Sequence, residues 1–140
     1  MDQQILVPFD GSDESETALN RALEENPNAE ITVLNVLSSA ELAYGGVQGS
    51  AAESLTDAQR EEAEELFERA QERAAAYDAT VQTALEVGTP GEVIVEYAEE
   101  NASDHIIMGS HGRSGLSRIV VGSVAETVIR NASMTVTIAR

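Results

Sequence analysis

The part of the sequence best suited to chemistry is a glycine-rich stretch near the C-terminus. Gly109 and Gly112 are followed, after nine further residues, by Gly122 and Ser123. Without a Cβ atom the backbone at a glycine can approach an anion closely, and the first amides of a following helix add donors at the positive end of its dipole. Two of the eight arginines, Arg113 among them, lie between the glycines. The stretch therefore predicts a phosphate-binding loop, to which the Ser123 hydroxyl adds a donor.

The same glycines have a simpler interpretation, in which they only turn a tight loop and let a helix pack closely on a strand. His111 in this stretch has no partner at the spacing of a catalytic pair, so we assign no catalytic residue. His105 opens an apolar run and is interpreted as structural. The absence of a histidine pair or an acidic ladder from the sequence predicts no metal held by protein side chains.

Strands and helices are predicted to alternate along the whole chain. Apolar, mostly β-branched runs predict five strands, at residues 4–9, 31–37, 80–87, 105–108 and 134–139. Apolar residues at helical spacing predict four helices between them, the longest over residues 56–77. Residues 38–55, rich in serine, glycine and alanine, predict a long loop whose role the sequence leaves open. This order favours one doubly wound, Rossmann-like α/β domain over residues 1–140, with helices on both faces of a parallel sheet.

The apolar stripes also predict which helical side chains are buried. In the last helix the predicted inward residues are Val121, Val124, Ala125, Val128 and Ile129. Tyr77 and Tyr97 are interpreted as core residues rather than as a stacking platform. Ligands of doubly wound sheets bind outside the carboxyl ends of the strands, where the winding direction reverses. Asp10, after the first strand, would alone be typical of a turn, but its position opposite the glycine-rich stretch favours a binding role.

The spacing from Gly109 to Ser123 resembles the nucleotide-binding signature of the universal stress protein family. The resemblance covers the full length of the chain and is carried by three segments, which are residues 5–12, 107–115 and 122–126. Any one of these segments alone would be weak, and together they are specific.

The resemblance implies a five-stranded parallel sheet of order 3-2-1-4-5 with ATP at the switch between strands 1 and 4. Any Mg or Mn would be carried on the phosphates. By position, the phosphates would be held by Gly109, Gly112, Gly122 and Ser123. The ribose hydroxyls would bond to Asp10, while the adenine would lie between Pro8 and Val36, with Met108 and Val124 nearby.

The family resemblance also implies a homodimer, formed through the edge strand at residues 134–139, and a stress-response or signalling role. Turnover of ATP is expected to be slow or absent, with weak hydrolysis or autophosphorylation as one alternative and a nucleotide-free dimeric interaction module as another. A flavodoxin-like carrier or a phosphorelay receiver has the same layout, but the chain has neither tryptophan nor lysine.

Composition narrows the partners further. The chain has 25 acidic and 8 basic residues, a formal net charge of −17, and no cysteine. This composition disfavours nucleic acid as a partner and excludes disulfides and thiolate chemistry. No apolar run suggests a signal peptide or membrane span, so we expect a cytoplasmic protein with no membrane partner. The acid excess without lysine favours a halophilic source, in which stability and nucleotide affinity rise toward molar KCl.

Overall fold

The computed structural model of the chain describes residues 3–38, 56–110 and 122–140. Within these ranges, strands and helices alternate in the order β1 (Gln4–Pro8), α1 (Asp13–Glu25), β2 (Glu30–Ser38), α2 (Asp57–Ala75), β3 (Gln82–Gly88), α3 (Pro90–Glu100), β4 (His105–Gly109), α4 (Ser123–Asn131) and β5 (Thr135–Ala139). The strands form one sheet in the order β3-β2-β1-β4-β5, and every pairing is parallel. The fold class, the strand order and the four helices predicted from the sequence are confirmed.

The sheet is covered on both faces, as the burial of its central strand β1 shows. Leu6 and Val7, neighbours on β1 that point to opposite faces, are both fully buried. One face packs on α1 and α2, and the other on α3 and α4. The chain winds outward from β1 through β2 to β3 and then returns to place β4 on the other side of β1. This reversal opens a crevice above the carboxyl ends of β1 and β4.

The burial predicted for the last helix is partly wrong. Ala125 and Val128 are buried as expected, but Val124 is 36% exposed and Ile129 is 48% exposed. The helix α4 lies against the edge strand β5 and packs sideways on α3, and its buried residues in the described range form a narrow stripe. Val121, predicted to point inward with them, lies outside the described residues.

Tyr77 is also not a core residue. The helix α2 ends at Ala75, so Tyr77 lies beyond it in the turn before β3. Its side chain is 37% exposed, and its hydroxyl donates a hydrogen bond of 2.8 Å to Glu24. Tyr97 agrees better with the prediction, because it is half-buried against the cluster between the sheet and α3.

The two ends of β4 have different neighbours. At the amino end, the Nε2 atom of His105 lies 2.7 Å from Oγ1 of Thr137 and joins β4 to the edge strand β5. Burial lowers the pKa of His105, and the charge of Glu25 opposes that shift. The carboxyl end of β4 enters the crevice, so His105 lies at the opposite end of the strand from it. None of the helices in the described ranges is both long and apolar enough to cross a bilayer.

Candidate functional site

A cleft of about 270 Å³ opens at the carboxyl ends of β1, β2 and β4. The sequence-predicted site residues that line it are Pro8, Asp10, Val36, Met108, Gly109, Gly122, Ser123 and Val124. These residues come from four separated segments of the chain. Gly112 and Arg113, which the sequence also assigns to the site, lie outside the described residues, as does all of the predicted loop 38–55 except its first residue.

The turn after β1 presents Asp10 at the rim of the cleft. The Ser12 N–H donates to Oδ1 of Asp10 at 2.9 Å, which closes a short side-chain turn. Gly11 between them has a φ of +84°, and a Cβ atom there would come within 2.6 Å of the Leu66 side chain. Any other residue at this position would be strained, and so the glycine keeps the turn tight beneath α2.

The helix α1 starts directly from this turn and carries its own cap. The Ser12 hydroxyl accepts a hydrogen bond of 3.2 Å from the Ser15 N–H. Acidic side chains occupy three positions of the first turn, which are Asp13, Glu14 and Glu16. The positive end of the α1 dipole is therefore already compensated by the chain itself.

Two arginines of α2 hold the base of this turn. Arg73 and Arg69 donate to one oxygen of Glu16 at 2.8 Å and 3.1 Å, and Arg69 also donates to the Gly11 carbonyl at 3.3 Å. Burial raises the pKa of the Glu16 carboxyl, but hydrogen bonds and charges from Arg73 and Arg69 outweigh it, so the pKa is lowered overall. The position of α2 is thus coupled to the Asp10 turn.

Beside this turn, the exits of β1 and β2 are joined by a buried side chain. Nδ2 of Asn35 donates to the Phe9 carbonyl at 2.9 Å, and Asn35 is only 5% exposed. Both residues line the cleft. The sequence reasoning missed Asn35, although a single asparagine inside the apolar run of β2 was a signal that could have found it.

Gly109 has a packing role of its own. A Cβ atom there would lie 2.7 Å from the Cβ of Glu14 and 2.8 Å from its carbonyl carbon. The helix α1 crosses the end of β4 too closely for a side chain, so close helix packing alone is enough to require this glycine. The simpler interpretation of the sequence therefore accounts for Gly109, whatever its backbone also contributes to a ligand.

Gly122 is held by the backbone next to it. Its N–H donates to the Ser110 carbonyl at 2.8 Å, and the Ser110 N–H donates to the Ala139 carbonyl at 3.1 Å. These bonds join Gly122 to Ser110 and attach Ser110 to β5. Because the Gly122 amide is used in this way, the donors offered to a ligand begin one residue later.

The first turn of α4 offers those donors. Gly122 is the N-cap and makes no side-chain capping bond, and the first intrahelical bond runs from the Glu126 N–H to the Gly122 carbonyl. The amides of residues 123–125 precede that bond, as the first N–H groups of any helix do. All three residues line the cleft. Unsatisfied amides at the positive end of a helix dipole form an anion-binding site.

One half of the cleft is apolar. Side chains from three strands and from α3 form this half, which consists of Pro8, Leu34, Val36, Met108, Pro90 and Ile94. Four further lining residues, which are Pro90, Ile94, Ser12 and Ser15, are not among the site residues predicted from the sequence. The described part of the chain contains no cluster of three or more acidic or histidine side chains that could hold a metal. The cleft suits a molecule with a flat apolar end and an anionic end.

Comparisons with known proteins identify the family to which the sequence and the fold are similar. The model of the universal stress protein family matches residues 1–140. A universal stress protein of Methanocaldococcus jannaschii is 34% identical over 132 residues, which are 93% of this chain and 77% of that protein. The solved structure of UspA from Lactobacillus plantarum has a TM-score of 0.80 and 26% identity, over 99% of this chain and 97% of that one.

Solved relatives also include complexes with ligands. A universal stress protein in complex with cAMP is 28% identical, with a TM-score of 0.74 and coverage of 99% of this chain and 97% of that one. The protein from Archaeoglobus fulgidus in complex with dAMP, at 24% identity and a TM-score of 0.73, has the same fold.

Proposed function

This chain belongs to the universal stress protein family, and we propose that it binds an adenine nucleotide, ATP in particular, in the cleft above β1, β2 and β4. One observation carries the proposal. The cleft joins an apolar half to the uncapped first turn of α4, and eight of the ten residues predicted to bind the nucleotide line it. The 28% identical relative in complex with cAMP supports an adenosine phosphate as the class of ligand.

The two halves of the cleft give the nucleotide one orientation. The adenine lies in the apolar half, between Pro8 and Val36 and near Met108. The ribose hydroxyls donate to Asp10, whose carboxylate offers two oxygens with several acceptor sites. The phosphates receive the amides of α4 and the Ser123 hydroxyl, because the acidic first turn of α1 repels them from the other side. Gly112 and Arg113 are proposed to complete the phosphate site.

The finer parts of the proposal concern what the bound nucleotide does. We propose that the protein holds ATP, with any Mg or Mn on its phosphates, as a stress-response signal rather than as a rapidly consumed substrate. A homodimer would form through β5, which pairs with β4 only, among the described strands, and so has one unpartnered edge. Time-dependent release of ADP measures turnover, and sedimentation with and without ATP measures the dimer.

The direct test is to identify the nucleotide that the protein carries. Protein purified in high KCl is denatured, its supernatant is separated by chromatography, and the refolded protein is titrated with ATP by calorimetry. We expect bound adenine nucleotide. A protein that carries none and binds no added ATP, with or without magnesium, would contradict the proposal and favour the nucleotide-free interaction module.

The variant Ser123→Pro tests whether the phosphates lie at α4. Proline is tolerated at the first position of a helix, and Gly122 before it has φ −64° and ψ 160°, which suits a residue preceding proline. The substitution removes one amide donor and the hydroxyl, whereas the matched variant Ser123→Ala removes only the hydroxyl. We expect Ser123→Pro to weaken ATP binding about tenfold more than Ser123→Ala. Equal affinities of the two variants would place the phosphates elsewhere.

A further inference from the structure

The hydrogen-bond ladder between β1 and β2 ends in an irregular way at the floor of the cleft. The last paired residues are Pro8 and Leu34, and the Phe9 N–H donates to the Leu34 carbonyl at 2.8 Å. In a regular parallel ladder the next bond on this side would run from the Val36 N–H to the Phe9 carbonyl. The Phe9 carbonyl instead accepts Nδ2 of Asn35 at 2.9 Å. In the described part of the chain, no backbone hydrogen bond joins Val36 to Phe9.

This substitution of a side chain for an amide has a consequence for Val36. Leu34 and Val36 are two residues apart on one strand, so their main-chain N–H and C=O groups point to the same side, toward β1. The strand β1 ends at Pro8, so the groups of Val36 extend past its last residue, at the point where Val36 lines the cleft. They form a donor and an acceptor on one strand edge, the pattern that matches the N1 and 6-amino groups of a purine.

We propose that Asn35 is a positioning residue that sets the base selectivity of the site. Its carboxamide occupies the Phe9 carbonyl, ends the ladder one bond early and keeps the Val36 N–H and C=O for the base. The inference rests on the proposed nucleotide binding. The Val36 N–H needs an unprotonated ring nitrogen, and the Val36 C=O needs an amino group beside it. Adenine has both of these groups and hypoxanthine does not.

The burial of Asn35 argues that the residue is placed for this contact. Asn35 is only 5% exposed and lines the cleft, and the other buried side chains of β1 and β2 are all apolar. An apolar residue here would let the Val36 N–H bond to Phe9 and continue the ladder. Such a replacement costs little stability when the carbonyl finds the new donor. A merely structural role would therefore change stability and leave base selectivity unaltered.

The experiment compares AMP with 1-deaza-AMP, which keeps the 6-amino group but has C–H in place of N1. For the unaltered protein we expect AMP to bind about tenfold more tightly, because with the analogue the Val36 N–H is left without an acceptor. In Asn35→Leu, whose side chain cannot donate, we expect the preference to fall below about threefold. Asn35→His, which restores an N–H near the same reach, should keep the preference. Asn35→Ala provides the same test if the leucine variant does not fold.

Asn26→Leu is the matched control. Nδ2 of Asn26 also donates to a main-chain carbonyl, that of Ala22, but it lies at the C-terminus of α1, away from the cleft. It should leave the preference for AMP unchanged. A preference that persists in Asn35→Leu, or that is absent from the unaltered protein while AMP still binds, overturns the inference and leaves the proposed function standing. Failure of the unaltered protein to bind AMP, ATP or the analogue overturns the proposed function and the inference with it.

Discussion

Two helices begin at the same cleft, and the chain treats their first turns in opposite ways. The helix α1 is capped by the Ser12 hydroxyl and carries three acidic side chains in its first turn. The helix α4 has glycine as its N-cap, no side-chain capping bond, and a single acidic residue, Glu126, in its first turn. Residues from both first turns line the cleft. The protein neutralises the N-terminus of α1 with its own side chains, whereas no N-cap side chain does so at α4 in the part of the chain that the structure describes.

This difference gives the cleft a polarity that total charge does not reveal. The chain has a net charge of −17, which repels a polyanion at long range. An anion can still bind at short range where the first amides of a helix have no partner within the helix. In the proposed complex the acidic first turn of α1 repels the phosphates and the first turn of α4 binds them, so the nucleotide would bind in one direction. The predictions below test this contrast between α1 and α4, from the largest expected effect to the smallest.

The largest effect is expected when a carboxylate is introduced at α4. Val124→Glu makes the first turn of α4 resemble that of α1, and places a negative charge where the phosphates are proposed to lie. We expect ATP binding to weaken about a hundredfold by calorimetry. Thermal stability should be kept or slightly raised, because an acid near a helix N-terminus is favourable.

Ile129→Glu is the control for that variant. It introduces the same carboxylate on the same helix, at a position that is 48% exposed and more than one turn from the cleft. It should change ATP affinity by less than about threefold. Similar losses in the two variants would mean that total charge, and not the first turn of α4, governs binding.

The next effect concerns stability rather than binding. Ser12→Ala removes the cap of α1 and should lower the free energy of unfolding by about 1 kcal/mol. Ser123→Ala removes a hydroxyl for which α4 has no capping use, and should lower it by less than about 0.5 kcal/mol. Urea unfolding of the two variants measures the difference. Equal losses of stability would show that the Ser123 hydroxyl stabilises α4 as much as the Ser12 cap stabilises α1, which would contradict the proposed difference between the two helices.

The position of the cleft could be predicted from the sequence. Apolar runs such as Ile31–Leu37 determine the strands locally, and the alternation of strands with helices leaves few arrangements of a parallel sheet. The position of Asp10 and Gly109 at the switch point follows from that order. Both could therefore be placed before any coordinates were known.

What the sequence does not reveal depends on close packing between distant elements. Gly109 leaves room for Glu14, which is 95 positions away in the chain, to pack against its backbone. The Gly122 amide donates a hydrogen bond to the Ser110 carbonyl. The exposure of Val124 and Ile129 follows from the place of α4 at the sheet edge and not from its own periodicity. Asn35 acts through Phe9, a partner that only the register of β1 and β2 brings near.

A smaller effect is expected from the acid that α2 holds in the first turn of α1. The pKa of Glu16 is lowered overall, so Glu16 stabilises the fold when ionised. That contribution is present above the unfolded pKa and is lost as the pH falls below about 4.5. Because Arg69 and Arg73 are 47% and 38% exposed, Glu16→Gln should cost only about 0.5 kcal/mol at pH 7.

Urea midpoints at several pH values check this prediction. The difference between the unaltered protein and Glu16→Gln should shrink as the pH is lowered through the range in which Glu16 takes up its proton. The control Glu126→Gln removes an acid from α4 whose partner Arg130 is 73% exposed, and it should change the urea midpoint at pH 7 by less than Glu16→Gln does. A difference that stays constant or grows in acid would contradict the role assigned to Arg69 and Arg73.

The smallest effect combines the α1 acids with salt. Asp13→Asn removes an exposed charge from the first turn of α1 and should strengthen ATP binding about twofold at low ionic strength. Glu100→Gln removes an equal charge at the C-terminus of α3, away from the cleft, and should have less effect.

At molar KCl the screening length falls to about 3 Å, so the advantage of Asp13→Asn should vanish while the affinity of the unaltered protein rises. An affinity that is the same at low and molar KCl would contradict the salt dependence predicted from composition. A twofold gain that persists in molar KCl would mean that Asp13 acts on the ligand by contact and not through its field, which would move the phosphates toward α1.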